Sequence, residues 1–316
     1  MNHTGELRAR ALKILDESVP IPTIHAHLHR VLSEPGKVLA LPESAIFSWS
    51  LAIINIAAIV GTVTKASLDC AIAVDFFSTS ADIFDDLADQ DGSNEYWNQL
   101  PTAEQLSLAL LLWQLSQNLL LNLQMDPATL SQVSLLFHKY ATQSCIGQSK
   151  DVFGIKPGSL DDCFQSTSQK SGTLLALCCA LAAITAGAEA ETVSSLSEIG
   201  RTVGLINQLV NDVNAIKEPS KKSDIRYRKI TLPVAYCLYN SSGKQNPTVS
   251  RYYLEAASNA CPGDIAEQIV SEGGVIYTLT VANHLKQQLL DQIRQLPLST
   301  DGRDTLVDIF FPRKTN

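Results

Sequence analysis

Proline placement is the feature that most constrains how this chain of 316 residues can fold. Two long stretches, 43–100 and 158–218, contain no proline. Because a proline ring lacks an N–H group and clashes with the preceding turn, such stretches permit long helices. Apolar residues within them recur at helical spacing, as at Leu196, Ile199 and Val203, rather than alternating as in strands. We therefore predict an all-α protein of about ten to twelve helices.

Helix start signals support this prediction. Asp126 and Asn246 each stand directly before a proline, which is typical of an N-cap followed by the first helical turn. Thr102 and Gln105 have the spacing of a capping box, in which two side chains bind backbone N–H groups reciprocally. Helices are therefore predicted to begin at these three places.

Composition narrows the class of protein. The chain is 45% hydrophobic and 18% charged, as expected for a globular protein rather than a disordered one. Its formal net charge of -8 disfavours a nucleic-acid partner, because phosphate backbones are bound mainly through Lys and Arg. The seven cysteines lack paired C-x-x-C spacing and are predicted to be buried thiols in a reducing cytoplasm.

No segment predicts an integral membrane anchor. The N-terminus offers no apolar signal core. The stretch 46–63 is interrupted by polar residues, and the stretch 174–186 is too short to cross a bilayer. Both are predicted to be central core helices of a cytoplasmic protein.

The most informative segment is SADIFDDLADQD. Its aspartates recur at i, i+3, i+4 and i+7, at Asp82, Asp85, Asp86 and Asp89. On a helix these four carboxylates share one stripe, where like charges oppose each other and burial adds to the cost. A divalent cation would remove the conflict, and Mg²⁺ suits one or two carboxylates together with water and phosphate oxygens. The alternative interpretation is a solvated acidic helix end.

A second segment, GLINQLVNDVNA, repeats this spacing with polar groups in an apolar run. Its four stripe positions are Gln208, Asn211, Asp212 and Ala215. Downstream, SDIRYRKITLP contains Arg228 and Lys229, whose charges could bind a diphosphate. The alternative interpretation of this basic loop is a solvated surface.

Together these segments resemble the trans-isoprenyl diphosphate synthase (polyprenyl synthetase) family over roughly residues 30–295. Five family motifs have counterparts in this chain. The matching positions are Asp75 with the DDxxD run 85–89, the GQxxDL-like Gly147, Gln148 and Asp151, the KTxxL-like Lys170, the QxxDDxxD-like Gln208 and Asp212, and the GKxTLP-like segment 229–233.

The resemblance implies a single isoprenoid-synthase-like domain over 1–316, built as a helical bundle around a deep central cavity. It implies Mg²⁺ as cofactor, an allylic prenyl diphosphate as substrate and a homodimer. The residues expected to act in catalysis are Asp85, Asp86 and Asp89. Those expected to hold metal are Asp85, Asp89, Asn211 and Asp212. Those expected to bind diphosphate are Lys170, Gln208, Arg228 and Lys229. Those expected to line the cavity are Phe77, Ser78, Phe47, Trp113 and Gln148.

The chain also departs from the family pattern. Two aspartates of the second motif are replaced, by Asn211 and Ala215. The arginines of the family's GKRxRP segment are missing, leaving Lys37, and no arginine occurs between Arg30 and Arg201. In chain-elongating members those arginines hold isopentenyl diphosphate by bidentate contacts that a lysine does not reproduce. We therefore expect a different acceptor.

Two subgroups of the family share such losses, and three functions follow in order of preference. The first is transfer of the prenyl group to an indole or peptide, as in the tryptophan isoprenyl transferases that modify bacterial pre-peptides. The second is cyclisation of farnesyl or geranylgeranyl diphosphate by a prenyl-synthase-like terpene synthase. The third is a non-catalytic subunit that regulates an active prenyl synthase.

Another motif is HAHLH, in which His25, His27 and His29 alternate. On a strand they could share one face and bind a metal, whereas a helix scatters them by about 200° per step. The helical interpretation, without a metal, is favoured. The sequence contains no evident Ser/His/Asp set or glycine-rich phosphate loop.

Overall fold

The computed structural model describes residues 3–41, 47–89, 94–219, 224–239, 246–255 and 260–312. Within these ranges the chain forms fourteen α-helices and no strand, which confirms the all-α prediction. The helices are α1 (His3–Ser18), α2 (Pro22–Val31), α3 (Trp49–Val60), α4 (Lys65–Asp89), α5 (Thr102–Leu121), α6 (Pro127–Val152), α7 (Leu160–Thr167), α8 (Thr173–Thr185), α9 (Ala190–Lys217), α10 (Leu232–Tyr239), α11 (Pro247–Leu254), α12 (Pro262–Ser271), α13 (Gly274–Gln295) and α14 (Thr300–Phe310).

The number of helices exceeds the predicted ten to twelve because several helices are short. The helices α7, α10 and α11 have only 8 residues each. A proline stands within the first two residues of α10, α11 and α12. Proline is tolerated in a first helical turn but not in a helix interior, so this part of the chain is divided into short helices.

One compact unit takes in the described parts of Met1–His138, Leu177–Ser197 and Leu296–Asn316. Its central helix is α4, which packs against α3 and α5. Every residue of α4 from Ala66 to Ser80 is buried, so this part of the helix has no solvent face. An ion pair between Arg10 and Asp69 joins α1 to it.

A second compact unit takes in the described parts of Lys139–Ala176 and Glu198–Gln295. Its central helix is α10, which packs against α7, α11, α12 and α13. The core around α10 includes the fully buried Val234, Leu238 and Ile265. Each such side chain contributes about 1.5–3 kcal/mol of hydrophobic free energy. The single-domain organisation over 1–316 stays a prediction.

The predicted N-caps at Asp126 and Asn246 are confirmed. Asn246 Oδ1 accepts hydrogen bonds from the backbone N–H groups of Thr248 and Val249, at 2.9 and 3.1 Å. Asp126 Oδ1 accepts equivalent bonds at the start of α6, at 3.1 and 3.0 Å. Each cap satisfies two N–H groups that have no partner inside the helix.

The predicted capping box of Thr102 and Gln105 is wrong. Pro101 occupies the N-cap position of α5, so Thr102 is already the first helical residue. The Gln105 amide instead donates to the carbonyl of Leu100 at 2.8 Å. The proline ring places the N-cap one residue earlier than the spacing predicted.

The cysteines and the most apolar helices agree with the expected buried environment. All seven cysteines are free thiols, and five of them are buried. Burial raises the pKa of Cys70 and Cys163 to about 12, so both stay protonated near neutral pH. Among the helices of the described ranges, none combines the length and apolarity needed to cross a bilayer.

Candidate functional site

The acidic stripe occupies the last two turns of α4. Asp82, Asp85 and Asp86 lie at i, i+3 and i+4 on one continuous helix, so their side chains are neighbours. The Asp82 side chain is 49% exposed, and Asp85 and Asp86 are partly buried. Asp89 ends the helix, and its side chain lies outside the described residues. Three of the four predicted carboxylates are thus placed together.

Lys37 supplies the counter-charge of this stripe. Its Nζ donates to Asp82 Oδ2 and lies 5.7 Å from the centroid of the Trp97 ring. Burial alone would lower the pKa of Lys37, but the charges of Asp82 and Asp75 outweigh burial and raise that pKa. Lys37 is therefore a buried, charged ammonium engaged by Asp82.

Asp75 lies further back on α4 and is fully buried. Its Oδ1 accepts from the backbone N–H of Val38 at 3.1 Å, and its Oδ2 accepts from Ser50 Oγ at 3.0 Å. Burial raises the pKa of Asp75 to about 6, although Lys37 and the two hydrogen bonds oppose that rise. Asp75 thus holds the segment after α2, and α3, against α4.

Asp86 is bound by a short 3₁₀ turn, Tyr96–Gln99, which follows α4 in the chain. Trp97 Nε1 and Asn98 Nδ2 both donate to Asp86 Oδ2, each at 2.7 Å. Sequence analysis did not single out Asn98. The available signal was an indole and an amide placed directly after an acidic helix and before a proline, since a buried indole N–H needs an acceptor.

The second acidic helix, α9, carries fewer carboxylates. Gln208 Nε2 donates to Asp212 Oδ1 at 2.7 Å, and Ser171 Oγ donates to Gln208 Oε1 at 2.9 Å. Asp212 is 2% exposed, and burial raises its pKa to about 7. Gln208 and Lys170 oppose that rise, whereas Asp224 adds to it. The structure brings Gln208 and Asp212 together, but the Asn211 side chain is exposed.

Lys170 lies in a π-helical turn, Ser168–Gly172, between α7 and α8. Its Nζ donates to Asp151 Oδ2 at 2.6 Å. A π turn inserts one extra residue per turn and is found mostly where a helix carries function. The insertion displaces the side chains that follow it, so this irregularity determines where the Lys170 ammonium lies.

Two glycines let neighbouring helices approach this turn. A Cβ atom at Gly147 would lie 2.9 Å from the Lys170 Cα atom. A Cβ atom at Gly204 would lie 2.5 Å from the Ser171 carbonyl oxygen. Real Cβ atoms do not come this close to backbone, so both positions require glycine. Sequence analysis noted Gly147 but missed Gly204 and Ser171.

Gln148 is a buried amide in this unit. Within the described residues, neither its Nε2 nor its Oε1 atom has a hydrogen-bond partner, and both atoms are shielded from solvent. An unsatisfied buried polar group costs about 1–3 kcal/mol. Native proteins rarely retain such groups without a ligand, water or function to explain them. Gln148 is therefore suited to bind a polar group that enters from outside the chain.

The basic loop after α9 is held in a left-handed turn. Arg228 has a φ of 54°, and the Lys229 N–H donates to the Asp224 carbonyl at 2.9 Å. The Arg228 guanidinium lies 4.9 Å from the Tyr252 ring centroid and donates to the Glu255 carbonyl at 2.9 Å. These contacts direct the Arg228 side chain toward α11.

Lys229 Nζ lies 3.7 Å from Asp224 Oδ1. Because Asp224 also acts on Asp212, Lys229 belongs to the electrostatic environment of the second acidic helix. The neighbouring Lys221 and Lys222 lie outside the described residues.

The predicted cavity residues have different environments. Phe77 is buried and makes edge-to-face contacts with Trp113 and Phe137, each with ring centroids 5.1 Å apart. Ser78 is fully buried and donates to the Asp75 carbonyl. Phe47 is 42% exposed. Their role in lining a cavity stays a prediction.

A small polar cleft of about 220 Å³ lies in the second unit, lined by Lys150, Lys156, Asp162 and Gln169 among others. Ligand pockets are generally larger, about 300–1,000 Å³, and mostly apolar. This cleft is therefore not the predicted deep cavity.

The three histidines of HAHLH have separate partners. His25 pairs with Asp16 at 2.9 Å, His27 with the Tyr96 hydroxyl at 2.6 Å, and the His29 ring lies 3.5 Å from Ser33 Oγ. The helical interpretation of this run is confirmed, since it lies in α2.

In the described ranges no three His, Cys, Asp or Glu side chains form a ready-made metal site. The stripe of α4 nevertheless fits Mg²⁺ by its donor chemistry, because hard carboxylate oxygens share one helix face there. Mg²⁺ needs only one or two protein carboxylates when phosphate oxygens and water complete its shell.

Comparison with known proteins gives consistent matches. The profile of the family described as Polyprenyl synthetase matches residues 48–272. The chain is 26% identical over 282 residues to the tryptophan prenyltransferase ComQ of Bacillus subtilis subsp. natto, covering 88% of this chain and 86% of that protein. It is 29% identical over 175 residues to the tryptophan prenyltransferase ComQ of Bacillus spizizenii, covering 55% of this chain and 60% of that protein.

The fold is also similar to a crystal structure of geranylgeranyl pyrophosphate synthase. The TM-score is 0.78 and 98% of each chain is covered, at 19% sequence identity. This likeness shows the fold alone. The match to the Bacillus spizizenii protein spans less than two thirds of that protein's length.

Proposed function

Because the chain belongs to the polyprenyl synthetase family, we propose that it is a prenyltransferase that ionises an allylic prenyl diphosphate. The acceptor of the prenyl group is an indole or a peptide rather than isopentenyl diphosphate. The similarity to tryptophan prenyltransferases of two Bacillus species supports this choice of acceptor.

The observation that carries the choice of acceptor is the environment of Lys37. This lysine stands where the family is expected to bind isopentenyl diphosphate through arginines. Its ammonium is buried, pairs with Asp82 and lies over the Trp97 ring. A lone lysine already neutralised by a carboxylate offers little attraction to a second diphosphate.

The residues of the chain divide the first step between two functions. Asp85, Asp89 and Asp212 offer carboxylate oxygens, and Lys170 and Lys229 bring positive charge to the diphosphate. Mg²⁺, when bound, supplies the charge that stabilises the leaving pyrophosphate. Asn211 makes a smaller contribution because its side chain is exposed.

The allylic cation formed in this step must be kept from water. Phe77, Trp113 and Phe137 form an aromatic cluster that offers an apolar wall with electron-rich ring faces. Gln148 offers an amide with free donor and acceptor capacity within the described residues, which suits orientation of a polar acceptor.

The exposed leucines of α5 support the proposed homodimer. Leu106, Leu110 and Leu121 are all exposed and lie within about 60° of one another around the helix axis. A second copy of the chain would bury this apolar stripe. The seven free thiols support a cytoplasmic location.

The proposed function is tested by measuring pyrophosphate release with Mg²⁺ and geranyl, farnesyl or geranylgeranyl diphosphate. Release that requires an added indole or tryptophan-containing peptide is expected. Hydrocarbon formed without an acceptor would instead identify a cyclase. No release under any of these conditions, with retained binding to an active prenyl synthase, would identify a regulatory subunit.

A further inference from the structure

We propose that Trp97 and Asn98 are positioning residues that hold the Asp86 carboxylate and thereby set the affinity of the acidic stripe for a divalent cation. This inference rests on the proposed function. Neither residue is expected to touch the substrate. Each acts through Asp86, to which both donate a hydrogen bond of 2.7 Å.

The two hydrogen bonds end on the same oxygen atom. A carboxylate oxygen offers about two lone-pair positions, so Oδ2 of Asp86 is saturated by the indole and amide N–H groups. Bonds of this length to a charged acceptor are strong and directional. They favour the ionised carboxylate and fix which way it turns, so Oδ1 is the oxygen left to face a cation.

The turn that carries these donors is itself anchored. The Tyr96 hydroxyl shares a hydrogen bond with His27 Nδ1 at 2.6 Å, and the Tyr96 N–H donates to Glu34 Oε1 at 2.9 Å. The Arg30 guanidinium lies 4.0 Å from the Tyr96 ring centroid. Because Tyr96 directly precedes Trp97, these contacts from α2 and its following segment hold the donors in place. They also give His27 of the HAHLH run a structural role.

The Trp97 ring has a second contact that separates two effects. Its face lies 5.7 Å from Lys37 Nζ, whereas its N–H binds Asp86. A Trp97→Phe substitution keeps an aromatic face toward Lys37 and removes only the N–H donor. An Asn98→Leu substitution removes the other donor at nearly constant volume and leaves Trp97 intact.

The test measures Mn²⁺ binding to the full-length protein by calorimetry in the presence of inorganic pyrophosphate. Trp97→Phe and Asn98→Leu are each expected to weaken Mn²⁺ binding by about tenfold, the usual effect of losing an outer-shell partner. The Mg²⁺ concentration for half-maximal pyrophosphate release should rise by a similar factor. The KM for the prenyl diphosphate at saturating Mg²⁺ should stay unchanged, and Asn98→Gln, which keeps an amide donor, should recover part of the affinity.

The matched control is Trp113→Phe, which changes an indole that packs on Phe77. It should leave Mn²⁺ affinity unchanged. Unchanged Mn²⁺ affinity in Trp97→Phe and Asn98→Leu would overturn the inference, even if their melting temperatures fall, because that pattern is purely structural. Absence of Mn²⁺ binding in the wild type would overturn it too. If Trp97→Phe does not fold, Asn98→Leu decides alone. Failure of the proposed function would appear separately, as no pyrophosphate release while the binding differences persist.

Discussion

The two acidic helices of this protein hold their carboxylates in different ways. At the end of α4, three carboxylates are partly or half exposed, and Asp82 and Asp86 each receive an N–H donor. On α9 a single carboxyl group, Asp212, is almost fully buried. Its pKa rises to about 7 because burial disfavours the charged form. Several like charges can therefore share a helix end where solvent and donors reach them, whereas a buried helix face tolerates one.

The largest effect that this comparison predicts is the loss of activity in Asp85→Asn. The substitution keeps the size of the side chain but removes a charge from the stripe, so pyrophosphate release should fall by at least about 100-fold. Asp304→Asn on α14, where the side chain is exposed, is the control and should leave the rate unchanged. Comparable rates for the two variants would contradict the assignment of the stripe.

A second prediction asks whether burial, rather than the identity of the helix, raises an acid's pKa. Asp75 lies on α4 yet is fully buried, and its pKa rises from 3.8 to about 6. Between these pH values the folded protein keeps a proton that the unfolded chain releases, so its stability falls as pH rises. The loss attributable to Asp75 should be roughly 3 kcal/mol between pH 4 and 6.

Asp75→Asn removes this titration. The difference in free energy of unfolding between wild type and Asp75→Asn, measured by urea denaturation at several pH values, should therefore change by about that amount across the window. Parallel stability curves for the two proteins would show that burial does not control this carboxyl group.

A smaller effect is expected for Asp212→Asn on α9. An asparagine oxygen can still accept from Gln208 Nε2, so the local geometry is kept while the charge is removed. Pyrophosphate release should fall by about 10–100-fold, less than for Asp85→Asn. Asn211→Ala, at the neighbouring exposed position, should lose less still. A larger loss in Asn211→Ala than in Asp212→Asn would reverse the roles of these neighbours.

The smallest predicted effect concerns stability around the π turn. Gly204→Ala would place a Cβ atom 2.5 Å from the Ser171 carbonyl oxygen, so the helices must separate at a cost of about 1–2 kcal/mol. Gly5→Ala in α1 is the control, because no atom lies within 4 Å of its Cβ position. Chemical denaturation should show Gly5→Ala to be neutral or stabilising by up to about 1 kcal/mol.

Local features of the fold could be predicted from the sequence, and long-range features could not. The carboxylate stripe of α4 and the caps at Asp126 and Asn246 follow from spacing within a few residues. The pairing of Lys37 with Asp82 joins residues 45 positions apart. No periodicity contains that information, and the capping box at Thr102 was wrong because a neighbouring proline shifted the helix start.

The candidate site divides in the same way. Gln208 and Asp212 were predicted as a pair because they lie one helical turn apart, and the structure joins them by a hydrogen bond. The contacts of Arg228 with Tyr252 and Glu255 were not predicted, because they depend on a left-handed turn and on a helix more than twenty residues away.

By itself the sequence determined that this protein is helical and which residue types share a helix face, since the helical repeat is a local property of the chain. Only the tertiary structure decided which carboxylates are exposed, which are buried and which donors they meet. Burial and electrostatic environment depend on segments that are distant in sequence, so they exist only once those segments have packed together.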